Sequence, residues 1–350
     1  MVKMVFNNRK FGALLLLVLM TCGGCTKQAD PKSEPMPEVK PKFSVPVGFA
    51  PIDYPLDNQY DTARVALGRD LFFDPILSLD SSVSCGSCHL FGQAFTNPNA
   101  VPLGFAGRRG KRNTPTLTNV AYNTSFFWDG GVPSLEQQVI APIESEFEMN
   151  LPITEAINRL QTFKDYKARF MRVYGQAPDL YGLSRSIAAF ERTLVSGNSP
   201  FDQYTYQGIS TALNQDQLAG RGLFMSDSLN CTACHAGFNF TNQTFQNNGL
   251  ALVYQDEGRQ RVSVRVQDIA KFKVPTLRNL VYSAPYMHDG SINTLEAVIR
   301  HYETGGQPHP SRSRLLKPFS LSNQQRNQLV AFLESLSDPT FVTNTALYPR

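Results

Sequence analysis

Cys85-Gly86-Ser87-Cys88-His89 is matched 146 residues later by Cys231-Thr232-Ala233-Cys234-His235. The 350-residue chain has six cysteines, and these four are all of them outside the first 25 residues. A disulfide framework does not need a His directly after the second Cys, and a zinc site usually brings a second ligand pair nearby. A thioredoxin-like pair uses the same spacing but not twice, each time followed by His. Covalent haem attachment explains every feature: two thiols add to the two vinyl groups, and the next His lies under the iron. The sequence therefore predicts two haem c groups, held by Cys85, Cys88 and His89 and by Cys231, Cys234 and His235.

The repeat extends beyond the cysteines. Pro115-Thr116-Leu117-Thr118-Asn119 recurs as Pro275-Thr276-Leu277-Arg278-Asn279, and Trp128-Asp129-Gly130 lies over His288-Asp289-Gly290. Nine of 22 positions agree between 115–136 and 275–296, at a constant offset of 160. Gly68-Arg69-x-Leu71-Phe72 over Gly220-Arg221-x-Leu223-Phe224 is offset by 152. Unequal offsets at matching landmarks mean one duplicated unit with loops of different length. Apolar residues at spacings of three and four predict helices over 153–174, 180–195, 214–224 and 321–336, with Asn214 and Ser322 as caps. Only Arg261 to Val266 alternates like a strand. The expected fold is mainly α: two related cytochrome c-like haem domains, 49–205 and 206–350, with long loops.

Composition agrees with a folded body, with 42% hydrophobic and 18% charged residues. The N-terminus reads as an export signal, with Lys3 to Lys10 ahead of an apolar run from Phe11 to Met20. That run is about half the ~20 residues a spanning helix needs; a short buried helix is the bland alternative. Gly23-Gly24-Cys25 resembles a lipoprotein cleavage site, with Cys22 as a competing lipidation site and plain secretion as the second reading. Residues 1–24 are thus expected to be removed, leaving 30 basic against 29 acidic residues, and nothing argues for nucleic acid. Residues 25–48 carry five prolines among Lys and Glu and read as a tether. A periplasmic or cell-envelope lipoprotein is expected.

Leu67-Gly68-Arg69-Asp70-Leu71-Phe72, Arg112-Asn113-Thr114-Pro115, Phe127-Trp128-Asp129-Gly130, Leu135-Glu136-Gln137-Gln138, Ala188-Ala189-Phe190-Glu191-Arg192 and Pro285-Tyr286-Met287-His288-Asp289-Gly290 together resemble the bacterial di-haem cytochrome c peroxidase family, which includes the MauG-type enzymes. The resemblance runs from about residue 60 to 336. It implies a peroxide site at the first haem and an electron-transfer role for the second. Glu148 and Gln138 match the distal glutamate and glutamine. A carboxylate over the iron can move a proton from the inner to the outer peroxide oxygen, and an amide can orient the peroxide. The bland reading makes Glu144, Glu146 and Glu148 a solvated acidic run. Trp128, the only Trp, matches the residue that relays charge between the haems; otherwise it is a core residue. The resemblance also implies one calcium ion, at the Asn113 side chain and the Ser283 and Pro285 carbonyls.

The chain departs from the family pattern twice. Members that need reductive activation carry a blocking His sixteen residues past the proximal His; here that position is Phe105, which cannot ligate iron. The first haem is therefore expected to be open when oxidised. The position of the second haem's sixth ligand, often Met, is Tyr302, as in the MauG-type branch. Alternatives are His301, Met287 or an open site. Three functions follow: a peroxidase reducing hydrogen peroxide with electrons from a small cytochrome c or cupredoxin, a MauG-type oxidase of a partner protein, or a non-enzymatic electron carrier. A homodimer is left open.

Overall fold

The computed structural model describes residues 45–348, so the expected signal and most of the tether lie outside the described residues. The described part is mainly helical, with one two-stranded antiparallel sheet, Phe245–Gln246 against Phe272–Lys273. No described helix is long and apolar enough to cross a membrane.

The duplication is visible in how the helices cross. Asp61 caps the Thr62–Phe73 helix by accepting from the Arg64 amide, and this helix packs on Leu180–Glu191. Gly68 stands at the contact; a Cβ there would lie 1.7 Å from the Ser186 carbonyl oxygen. The Gln215–Phe224 helix packs on Asn323–Glu334 in the same way, and a Cβ on Gly220 would lie 1.8 Å from the Gln328 carbonyl oxygen. Only glycine permits either approach. Asn119 and Asn279 both take left-handed backbone, at φ 57° and 63°, and open the short turns Val120–Tyr122 and Leu280–Tyr282.

Two separate hydrophobic clusters hold the body together. The first gathers Leu67, Leu71, Phe72, Phe95, Ile143, Phe170 and Phe190; the second gathers Phe201, Phe224, Phe240, Leu295, Ile299 and Phe332. Each buried Phe contributes roughly 1.5–3 kcal/mol. Exposed pairs such as Glu155–Arg159 contribute about 0.3–0.5 kcal/mol, so the clusters decide stability. Phe341 and Val342 return to the first cluster from the far end of the chain.

Asn214 and Ser322 do cap their helices, each in a reciprocal box with Gln217 and Gln325. Three local expectations fail. The 153–174 helix is two, Ile153–Thr162 and Lys164–Tyr174, broken at Phe163, which has extended backbone at ψ 111°. Thr162 turns its hydroxyl onto the Arg159 carbonyl at the break. The 180–195 helix stops at Glu191. Arg261–Val266 forms no strand: Gln260–Ser263 is one helical turn and Val264 is left-handed at φ 59°. Its alternating valines have no neighbouring strand to pair with among the described residues, and Arg261 instead pairs with Asp129 at 2.6 Å.

Candidate active site

The two histidines are prepared in the same way. His89 ends the Cys85–Cys88 turn, and its Nδ1 lies 2.8 Å from the Phe95 carbonyl oxygen. His235 Nδ1 lies 3.0 Å from the Phe240 carbonyl oxygen. In both, a donor Nδ1–H fixes the tautomer and leaves Nε2 as the free ligand atom. Burial pushes His89 down to about 4, and His235 down as well, so neither is protonated at neutral pH. Cys85, Cys88, Cys231 and Cys234 are all free thiols rather than disulfides. Neutral imidazoles with a free Nε2 beside unpaired thiols are the donor set that two haem c groups require.

The acidic run divides by burial. Glu144 and Glu146 are exposed, whereas Glu148 is half-buried. Burial, followed by the nearby Glu148 carboxylate, pushes Cys88 up to about 11, and Glu148 also bears on Cys85. Burial holds Glu148 itself above the usual carboxylate range. The backbone holds it there: its amide donates to the Ser145 carbonyl at 3.0 Å, and the next residue, Met149, is buried. Phe105 donates its amide to the Glu148 carbonyl at 2.7 Å, and a Cβ on Gly104 would meet the Phe147 oxygen at 2.1 Å. The segment that lacks the blocking His is thus laid directly against the segment carrying Glu148.

Gln138 closes the short Leu135–Gln138 helix, capped by Ser134. Glu136 on that helix is clamped by Arg192 at 2.6 and 3.1 Å and by the Asn58 amide at 2.6 Å. Arg192 stands at the end of the Leu180–Glu191 helix, so the pair ties the short helix that ends in Gln138 to it. The clamp is nearly buried, which favours one geometry over many.

Trp128 is half-buried and donates Nε1–H to the Asn113 carbonyl at 2.8 Å. The Asn113 amide donates to the His288 carbonyl at 2.8 Å. Trp128 and its repeat partner His288 are therefore joined through a single residue. Asn113 is buried, with its side-chain NH₂ turned to the Ala100 carbonyl at 3.1 Å, so its amide oxygen faces away from that contact. Ser283 and Pro285 lie just before His288 in the chain, and the structure gives no direct bond between either and Asn113.

Burial raises the phenol of Tyr302, the expected sixth ligand of the second haem, above its usual value. The other two ligand candidates are engaged elsewhere. His301 Nε2 lies 3.0 Å from the Asn248 carbonyl oxygen, and Met287 Sδ accepts from the Asn248 amide at 3.2 Å.

Two residues near these sites escaped notice as site residues in the sequence. Glu191 was visible only as part of the Ala-Phe-Glu-Arg stretch. It is buried, one carboxyl oxygen has no partner, and burial pushes it up to about 8. It also bears on Cys85. Asn248 carried no sequence signal at all.

With this geometry in hand, comparison with known proteins defines the class. The family described as "Di-haem cytochrome c peroxidase" matches residues 62–210, and the "Cytochrome c" family matches residues 218–337. The chain is 37% identical to the methylamine utilization protein MauG of Methylorubrum extorquens, over 92% of each chain. It is 33% identical to the cytochrome-c peroxidase IdrP1 of Pseudomonas sp. (strain SCT), over 95% of this chain and 93% of that one. A solved MauG-like protein associated with microbial copper homeostasis superposes with a TM-score of 0.78 at 28% identity, over 87% of this chain and 96% of that one. The chain belongs to the di-haem cytochrome c peroxidase and MauG family, and is an oxidoreductase with two haem c groups in related domains.

Proposed function

We propose that this protein reduces hydrogen peroxide to water with electrons from a small cytochrome c or cupredoxin. Two electrons and two protons convert one peroxide to two waters. A haem held by His89 would supply the iron at which peroxide is reduced, and the two electrons come from the donor protein. Glu148 removes the proton from the inner peroxide oxygen and returns it to the outer one. Gln138 orients the peroxide without competing for that proton, and Trp128 relays charge from the second haem. The observation that carries this reading is Glu148, set apart from the exposed Glu144 and Glu146 by partial burial and tied through its backbone to Phe105, the residue at the blocking-His position.

A second reading is favoured by Phe105 and Tyr302 and by the identity to MauG: peroxide-driven oxidation of a partner protein through Trp128. Steady-state turnover separates the two. The peroxidase reading expects rapid peroxide-dependent oxidation of a reduced small cytochrome c or cupredoxin. Negligible turnover with any such donor, with peroxide consumed only beside a protein substrate, would favour the second.

We also propose that residues 1–24 direct export and that Cys25, or Cys22, carries the lipid. The body then divides as 49–205 and 206–350. One calcium ion is proposed at Asn113, Ser283 and Pro285; the Asn113 amide oxygen, turned away from Ala100, supports it.

A further inference from the structure

Trp128 stands in a closed loop of contacts. Its Nε1–H donates to the Asn113 carbonyl at 2.8 Å. Arg112, the residue before Asn113, pairs with Asp129, the residue after Trp128, at 2.7 Å. The ion pair thus ties together the same two segments that the indole hydrogen bond joins.

Asp129 is fully buried, and residues 256–261 supply most of what holds it. Arg261 donates to the Asp129 carboxylate at 2.6 Å and 3.0 Å. Arg259 donates to the Asp129 and Gly130 carbonyls at 2.8 Å and 2.9 Å. Arg112 is itself held bidentately by Asp256, at 2.6 Å and 2.7 Å. The Trp128 carbonyl accepts from the Lys273 amide at 2.7 Å. Bonds between charged groups are roughly twice as strong as neutral ones, and a bidentate pair also fixes an angle.

The duplication supplies an internal comparison. Asp289 lies in the equivalent turn and accepts from the Ser291 amide at 3.0 Å, as Asp129 accepts from the Gly131 amide at 3.0 Å. That bond alone suffices for the turn. Asp129 adds ion pairs to Arg112 and Arg261, whereas Asp289 forms none among the described residues. The residue before Asp289 is His288, so the clamp belongs to the copy that carries the indole.

We propose that Asp129 is a positioning residue for Trp128: its carboxylate, clamped by Arg112 and Arg261, sets the indole N–H on the Asn113 carbonyl. This rests on the reading that Trp128 relays charge between the haems. A relay ring serves only at a set distance and angle from the groups on either side of it.

The test uses the intact di-haem protein. Trp128 is its only tryptophan, so the indole N–H band in ultraviolet resonance Raman reports on this ring alone. Electron transfer from the reduced second haem to the oxidised first haem is timed in the same samples. Asp129→Asn keeps the volume and the bond from the Gly131 amide, and removes the charge. Arg261→Gln removes a partner whose side chain is 60% exposed, and it decides the matter if D129N does not assemble both haems. Each is expected to shift the band towards a weaker hydrogen bond and to slow the transfer by roughly tenfold or more. Asp289→Asn, the same change in the unclamped turn, is expected to leave the band in place. A wild-type band in the deciding variant would overturn the proposal, as would an equal shift in D289N. Trp128→Phe separates the two levels. If W128F transfers as fast as wild type, the relay reading fails and the band still decides the role of Asp129. If W128F is slow and the deciding variant shows no shift, only the role of Asp129 fails.

Discussion

Replacing Glu148 by glutamine is expected to lower kcat for peroxide turnover by about 10²–10⁴-fold, the usual contribution of a positioned acid-base group, with both haem spectra retained. Glutamine fills the same volume and can still accept and donate hydrogen bonds, but it cannot carry the proton. Glu148→Asp, one methylene shorter, is expected to keep a reduced rate. The pH profile gives a second signature. To act as a base, the carboxyl must be ionised, and burial holds its pKa above the usual carboxylate range. Activity is therefore expected to rise as pH climbs through that raised value, and the acid limb of kcat/KM disappears in E148Q. The sign for stability is opposite. A carboxyl whose folded pKa is raised gives its full contribution below the unfolded value, and that contribution is lost as pH rises through the folded one.

Replacing Arg278 by methionine is expected to cost about 3–5 kcal/mol of stability, because it strands a buried charge. Arg278 and Asp202 are both fully buried and pair bidentately, at 2.8 Å and 2.8 Å. Arg278 also donates Nε–H to the Phe238 carbonyl at 2.8 Å and lies over the Phe49 ring at 4.6 Å. Phe238 is two residues from Phe240, whose carbonyl holds His235, so the pair also braces the second proximal ligand. Chemical denaturation of the holo protein checks the magnitude. Asp202→Leu combined with Arg278→Met is expected to recover much of the loss, since removing both charges is far less costly than removing one. A double variant as unstable as the sum of the two singles would mean that packing, and not charge, carries the effect.

What could be read from the sequence was whatever depends on covalent chemistry or on strict periodicity. The two Cys-x-x-Cys-His pairs and the constant offset of 160 gave the duplication, which the structure repeats down to Gly68 and Gly220 at equivalent helix crossings. Acidic composition near residue 146 could not separate Glu148 from its neighbours, because burial, not charge, distinguishes it. Arg278 was hidden by the repeat itself: its partner position is Thr118, so the alignment pointed to no charge there. Asn248 makes its contacts with Met287 and His301, 39 and 53 positions away in the chain, beyond any local pattern. The valine alternation at 262–266 misled, because a period of two needs a neighbouring strand and none is paired there in the described residues.

A haem held by His89 is proposed to keep one face free in the resting protein, since Phe105, at the position of the family's blocking His, cannot ligate iron. Low-temperature EPR of the fully oxidised holo protein tests this most directly. A high-spin ferric signal from the first haem, beside a separate signal from the second, is the expected result; two low-spin signals with no high-spin component would contradict it.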